Sequence, residues 1–210
     1  MRSSYHHGDL RPALMEAVAA AIRERGPGPV SLREVARRAG VSQGAPAHHF
    51  GTSAGLLTAF ATAGYSGLAE TILASIAESA PPDGPRVLEA IGRGYVRFAL
   101  ANPEQFSIMF RLDLLDAADA EFVAASEAAY GLLVSTIVRC GEEGWLGGAE
   151  PEVVAVAAWS LVHGLATLWL SGRLTERILE TDPHRMAAKV SRLFVDAVLP
   201  VSRRNHARLP

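Results

Sequence analysis

The chain has 210 residues, which at roughly 150 residues per domain makes one or two domains. Hydrophobic residues are 49% and charged residues 20% of the chain, which excludes a disordered chain, and no uninterrupted apolar run reaches the roughly 18 residues of a membrane span. The net charge of −2 hides an asymmetry: residues 1–69 hold seven arginines against Asp9, Glu16, Glu24 and Glu34, whereas residues 70–210 hold thirteen basic and eighteen acidic side chains. A basic N-terminal third ahead of an acidic remainder is the layout of a small nucleic-acid reader carried on a larger non-binding domain.

Almost every segment has a helical period, and no alternating β-branched run suggests a sheet, so the expected fold class is all-α. Leu10, Leu14, Ala17, Val18, Ala21 and Ile22 form one face of a first helix, which Gly26-Pro27-Gly28-Pro29 stops. Ser31-Leu32-Arg33-Glu34 predicts a capping box, with the Ser31 hydroxyl accepting from the Glu34 N–H and the Glu34 carboxylate accepting from the Ser31 N–H. A short helix runs from Leu32 to Ala39, and Gly40 supplies the left-handed residue that ends it. Ser42 is the expected N-cap of a second short helix from Gln43 to His49, closed by Phe50. That start puts Pro46 at the fourth helical position, where it removes the first internal hydrogen bond and predicts a tightened or shifted start. Thr52 or Ser53 caps a long helix to about Ser79, with Leu56, Leu57, Phe60, Leu68, Ile72, Leu73 and Ile76 as its stripe. Beyond Pro81, Pro82, Gly84 and Pro85, helices are predicted at about 86–101, 104–111, 119–143, 151–171 and 183–198, with a short helical turn over 174–180.

Two short helices joined by Ala39-Gly40-Val41-Ser42, behind a longer one, form a helix-turn-helix. Gly40 lets the backbone turn sharply, Val41 fills the space between the helices, and the second helix is narrow enough to enter a major groove. Catalytic constellations are missing. Gly64-Tyr65-Ser66-Gly67 has the wrong spacing for a nucleophile elbow, and HExxH, GxxxxGK[ST] and GxGxxG do not occur. The lone Cys140 can form neither an internal disulfide nor a zinc cluster, and a helix C-terminus is a poor place to activate a thiolate. The N-terminal residues lack the apolar core of a secretory signal. The sequence therefore predicts a cytoplasmic, non-enzymatic protein without metal or cofactor.

Tyr5-His6-His7-Gly8-Asp9-Leu10-Arg11, Ser31 through Ser42, His48-His49-Phe50 and Leu56-Leu57 together resemble the N-terminal domain of TetR-family transcriptional regulators. The resemblance covers about the first 60 residues, with several spaced motifs in order. Further on, Trp159-Ser160-Leu161-Val162-His163-Gly164 resembles the Trp-His-Gly signature of one TetR subgroup, and Asn102-Pro103-Glu104 and Met109-Phe110-Arg111 are similar to the segment preceding it there. The resemblance implies an N-terminal three-helix helix-turn-helix domain over residues 1–53 and a helical effector-binding and dimerisation domain over 54–210. It also implies a homodimer on a palindromic double-stranded DNA operator, released by a small molecule and acting as a repressor.

By position, Arg33 reaches DNA from the second helix and Arg37 or Arg38 meets phosphate. Ser42, Gln43, Gly44 and Ala45 sit where the recognition helix meets bases, and Gln43 suits adenine. His48 faces the backbone, and His49-Phe50 holds the domain together. The family usually has Leu-Tyr where this chain has Pro46-Ala47, the tyrosine gripping phosphate, and Lys where it has Ser53. At that helix start, backbone N–H groups with the Thr52 and Ser53 hydroxyls can hold a phosphate instead. The two departures predict weaker binding and a shallower salt slope, and they keep a second reading open: a small-molecule-binding or protein-interaction module with a degenerate DNA reader.

For the effector pocket the large candidates are Phe98, Phe106, Met109, Phe110, Trp159, His163 and Trp169. Such residues at helical spacing also build plain core, and a hydrogen-bonded core histidine is the simpler reading of His163. The expected effector is apolar. The dimer candidates are the last two long helices, through Val153, Val154, Ala157, Leu161, Leu165 and Leu168 on one and Val190, Leu193, Phe194 and Ala197 on the other. Gly164 allows another helix to come close.

Overall fold

The computed structural model describes residues 10–79, 83–174 and 176–198; the expected Tyr5-to-Asp9 motif and the Pro81-Pro82 break lie outside them. Among the described residues there are nine α-helices and no strand. They are α1 (Leu10–Arg25), α2 (Leu32–Arg38), α3 (Ala45–Phe50), α4 (Ser53–Ala77), α5 (Gly84–Ala101), α6 (Pro103–Met109), α7 (Ala120–Glu142), α8 (Pro151–Leu170) and α9 (Pro183–Val198). A single 3₁₀ turn, Leu112–Leu114, follows α6 and was not anticipated. Over 174–180, where a short helical turn is expected, the Arg177 N–H bonds to the Leu174 carbonyl at 2.9 Å, one i→i+3 turn with no helix among the described residues there.

Contacts divide the chain into two compact units, and the division is not one cut along the sequence. Residues 1–65 and 102–126 form the first, residues 66–101 and 127–210 the second. The division falls inside α4 and inside α7, so each of these two helices contributes residues to both units.

In the first unit, Leu14, Val18 and Ile22 of α1, Val35 of α2, Pro46 of α3 and Leu56, Leu57 and Phe60 of α4 are buried. The segment after α5 completes this core with Ile108 and Met109, both fully buried. Polar bonds fasten the segment down. Arg23 Nε donates to Glu104 at 2.7 Å, Arg111 Nη1 to the Pro27 carbonyl at 3.3 Å, and the Asp116 N–H to Thr58 Oγ1 at 2.8 Å. Gly64 of α4 leaves room for α6, since a methyl there would stand 2.8 Å from Met109 Sδ.

In the second unit α5 is the central element. Twelve of its eighteen residues are buried, and both α8 and α9 pack on it. Gly94 brings it close to α4, where a methyl would meet the Ile72 Cα at 2.8 Å. Leu73 departs from the expected stripe of α4: it is 52% exposed, while Leu68 and Ile72 are buried. Gly94 of α5 packs against both Ile72 and Ser75, and Leu73 lies off that face.

Candidate functional site

The turn between α2 and α3 forms as its residues dictate. Gly40 sits at φ +68°, the Val41 N–H bonds back to the Ala36 carbonyl at 3.0 Å, and the Gly40 N–H reaches the Arg37 carbonyl at 3.3 Å. This pair of bonds is a Schellman C-cap, which satisfies the last carbonyls of α2 and needs the left-handed glycine.

The expected caps are different. Ser31 does occupy the N-cap of α2, but its hydroxyl makes no capping bond. The Glu34 carboxylate that should have reached back is held elsewhere, by Arg25 Nη1 at 2.6 Å and Arg38 Nε at 2.9 Å. Two guanidinium donors outcompete one backbone N–H. Ser42 is not the cap of α3 either. Its carbonyl accepts from the Ala45 N–H in a turn, the helix starts at Ala45, and Gly44 is the N-cap. Pro46 explains the shift: from the second helical position its missing N–H costs no internal bond, because the first turn's N–H groups lack partners anyway.

On this frame Arg33, Arg37, Ser42, Gln43, Gly44, Ala47, His48 and Thr52 are exposed, and Ala45 and Ser53 are half-buried. Among the described residues Arg33 and Arg37 have no ion-pair or hydrogen-bond partner. Arg38 is the opposite. Nη1 and Nη2 grip the two Glu24 oxygens at 2.9 and 2.5 Å while Nε holds Glu34, and these carboxylates raise its already high pKa. Between the two arginines offered for phosphate, the structure leaves Arg37 available and ties Arg38 to α1. The hydroxyls at the start of α4 are also committed: Ser53 Oγ donates to the Val30 carbonyl at 2.7 Å, and Thr52 Oγ1 accepts from the Gly55 N–H at 3.0 Å. Exposed His49 and half-buried Phe50 end α3, and the Arg11 guanidinium lies 5.7 Å above the Phe50 ring.

The seven pocket candidates divide between the units. Phe106, Met109 and Phe110 belong to the first. There Phe106 meets Phe110 edge-on at 5.5 Å, and Tyr65 lies edge-on to Phe110 at 6.0 Å and to Phe122 at 5.7 Å. The Tyr65 hydroxyl donates to the Met109 carbonyl at 3.2 Å, and burial pushes its phenol up to about 12. Phe98, Trp159, His163 and Trp169 belong to the second unit. Phe98 packs where Gly67 leaves space, and Trp169 is half-buried.

Trp159 and His163 meet on α8 around Tyr95 of α5. The Trp159 indole can only donate, and it does so to the Tyr95 oxygen at 3.4 Å. The Tyr95 hydroxyl and His163 Nδ1 are hydrogen-bonded at 2.8 Å, the donor being set by the His163 tautomer. Burial lowers the His163 pKa, which agrees with a neutral ring. Tyr130 of α7 covers the other side of Trp159 at 5.5 Å. The sequence reading missed Tyr65, Tyr95 and Tyr130. Tyr95 could have been found, being four residues after Ile91 and three before Phe98 on one apolar face. A hollow of ≈ 660 Å³ lies at the α7–α8 connection among Val138, Gly141, Leu146 and Pro151, and none of the seven candidates lines it.

The α8 surface is the other unusual feature. Val153, Val156, Leu168 and Leu170 are 60, 50, 46 and 39% exposed, Gly164 faces open space, and Leu193 of α9 is 69% exposed. Although its sequence has no long uninterrupted apolar run, α8, like α7, is long and apolar enough to cross a membrane by length and composition.

An all-helical chain with a helix-turn-helix, unpaired arginines on it and a helical second unit defines the class of helix-turn-helix DNA-binding regulators. Comparison with known families narrows the class. Residues 14–60 match the family described as bacterial regulatory proteins, tetR family, and residues 88–194 match the tetracyclin repressor-like C-terminal domain. The chain belongs to the TetR family of transcriptional regulators. A search of curated proteins finds no match. Among solved structures, it is similar to a protein of unknown function from Rhodococcus sp. RHA1, with 28% identity, 94% of this chain and 100% of that one covered, and a TM-score of 0.78. It is also similar to the TetR-family regulator PfmR from Thermus thermophilus, with 20% identity, coverage of 90% and 95%, and a TM-score of 0.68. A third is the regulator FadR from Bacillus subtilis in complex with stearoyl-CoA, with 13% identity, coverage of 89% and 98%, and a TM-score of 0.70.

Proposed function

We propose that the protein is a cytoplasmic, non-enzymatic repressor that binds a palindromic operator as a homodimer and is released by a small, largely apolar effector. Residues 1–53 are the DNA-binding domain and 54–210 the effector-binding and dimerisation domain. Arg33 and Gln43 read the site, Arg37 and His48 meet the backbone, and Ser42, Gly44, Ala45, Ala47, Thr52 and Ser53 line the contact through small side chains and main chain. The observation that carries this reading is the pair of exposed arginines, Arg33 and Arg37, left unpaired on a helix-turn-helix whose other arginines are engaged. The uncovered apolar faces of α8 and α9 support the second copy. The two-fold would place the two recognition helices roughly 34–36 Å apart, or a multiple. The stearoyl-CoA complex of FadR, a protein of similar fold, supports an effector with an apolar chain. Phe98, Trp159, His163 and Trp169 of the second unit, and separately Phe106, Met109 and Phe110 of the first, are the residues offered for that effector.

The test is fluorescence anisotropy of the purified chain on DNA upstream of its own gene against a scrambled duplex, over a salt series. Preference for the upstream duplex at physiological salt, lost in Arg33→Ala and Gln43→Ala, supports the reading. One observation favours the alternative of a degenerate reader: the Ser53 and Thr52 hydroxyls are spent inside the fold and Ala47 offers no polar group. Equal, salt-fragile binding to every genomic fragment, unchanged by either substitution, would select that alternative.

A further inference from the structure

Two features of the second unit run against the rule that cores are apolar or fully hydrogen-bonded. Glu89 of α5 is the one charged residue in the described core, at 8% exposure. Ser191 of α9 holds the one buried side-chain oxygen among the described residues without a hydrogen-bond partner. Both sit on the same seam. Glu89 Oε2 forms an ion pair with Arg192 Nη2 of α9 at 2.5 Å, and its Oε1 lies 3.7 Å from Arg93, one turn along α5. Arg93 in turn donates to Ser79 Oγ at 2.7 Å. Gly92, three residues after Glu89, leaves the gap into which the Ser191 hydroxyl presses; a methyl there would collide with it. Adjacent residues of α9 therefore meet one face of α5, the first by close approach and the second by charge.

The pair is buried on one side only: the Glu89 side chain is 10% exposed and the Arg192 side chain that reaches it is 56% exposed. A buried carboxylate needs a cation beside it, so the contact favours the alignment of the two helices that brings Arg192 to Glu89. A buried hydroxyl without a partner likewise marks a place where something other than hydrogen bonding set the position. We propose that Glu89 and Arg192 set the register of α9 on α5, and so determine which α9 side chains the protein presents to its second copy. The inference rests on the homodimer reading above. Its geometric link is the helical turn: Leu193 lies about 100° round the helix from Arg192, so the register that joins Arg192 to Glu89 turns Leu193 outward. Leu193 is the most exposed large apolar residue of the helix. A slip of α9 that broke the pair would carry Leu193 off that face and move the edge shared with α8. In this account Glu89 is a positioning residue that touches no partner itself.

Stability and positioning separate in a two-step substitution of the full-length chain, read by thermal unfolding and by sedimentation over a dilution series. Arg192→Leu leaves the buried carboxylate with Arg93 alone, 3.7 Å away, and is expected to lower Tm and weaken the dimer by about tenfold or more. Glu89→Leu combined with Arg192→Leu removes both charges, which restores Tm because apolar residues replace a buried pair well. The proposal expects the dimer of that double variant to stay about tenfold weak, since nothing then holds the register. A double variant that regains Tm and dimer affinity together would show that the pair is only structural. So would an Arg192→Leu chain with unchanged dimer affinity. If Arg192→Leu does not fold, Glu89→Gln with Arg192 retained replaces it, with a severalfold weaker dimer expected and unchanged affinity overturning the idea. A wild-type chain that is monomeric at every concentration defeats the homodimer reading itself, before any variant is compared, and the register assignment falls with it.

Discussion

The two units leave opposite surfaces unfinished. On α2, α3 and the turn between them the open surface is polar and cationic, with Arg33, Arg37, Gln43 and His48 in solvent. On α8 and α9 it is apolar, with Val153, Val156, Leu168 and Leu193 in solvent. Water treats these differently. An exposed guanidinium is well solvated, so the first surface can stand bare and take up a polyanion reversibly. Exposed aliphatic surface costs about 25 cal/mol per Å², and contiguous patches of it mark sites that another molecule covers. On the proposed reading the difference gives each surface its kind of partner: a polyanion that comes and goes at α2 and α3, and a second copy that stays at α8.

The largest effect that could break this comparison is at α8. Val156→Glu should loosen the dimer by roughly a hundredfold or more, because a carboxylate with no partner is carried into an apolar contact. The monomer's fold should be little changed, since Val156 is half exposed within one chain. Sedimentation equilibrium and Tm together check both halves. A dimer unaffected by that charge would mean that α8 is not the interface.

Next in size is a contrast between neighbouring arginines. Arg37→Ala should weaken binding to operator and scrambled duplex alike and reduce the slope of log K against log salt by about 0.9, the signature of one lost phosphate contact. Arg38→Ala should leave that slope unchanged and lower Tm slightly, since its guanidinium is bound to Glu24 and Glu34. Anisotropy titrations at four or five salt concentrations separate the two. Equal slopes for both variants would remove the distinction between the free and the committed arginine.

That contrast also shows where the sequence is legible. Helical periodicity and the Gly and Pro breaks place α1 and α4 to α9 within about two residues of their observed ends, because both signals are local. The capping box is equally local in appearance, yet it does not form. The competitors for Glu34 are Arg38, one turn on, and Arg25, which belongs to the preceding helix and meets it only when the chain folds. The start of α3 was legible in Pro46 as a conflict, and the structure resolves it by moving the helix start to Ala45. The seven pocket candidates show the limit most plainly. Periodicity marks Phe106, Met109 and Phe110 as buried, but nothing local says that they fold with the N-terminal helices while Phe98 and Trp159 do not. Tyr95, which organises Trp159 and His163, was passed over because one tyrosine in an apolar stripe reads as filler until its hydroxyl has partners.

The smallest effect concerns the ionic stitching that holds the reader's polar surface in place. Arg38 and Arg25 hold the Glu24 and Glu34 carboxyls below their usual 4.5, chiefly by hydrogen bonds from the guanidinium groups. A carboxyl whose folded pKa is depressed contributes stability that is full above the unfolded value and is lost as pH falls through the folded one. The first unit should therefore loosen as pH drops below 4.5, through links between α1 and α2 that carry no load at lower pH. Both carboxyls lie near solvent, so the effect is modest and salt-sensitive. Glu34→Gln removes one titrating link. Amide exchange of α2, corrected for intrinsic rates, should then change less across this window than in the wild type, with the two proteins converging at the acid end. The amides of α8 serve as the reference in a His163→Gln background, because His163, whose pKa burial lowers, would otherwise take up a proton in acid, and Glu152 in the first turn is then the helix's one titrating group. If α8 loses protection in step with α2, the two surfaces do not respond independently to charge, and the division between a polar reader and an apolar interface fails at its weakest point.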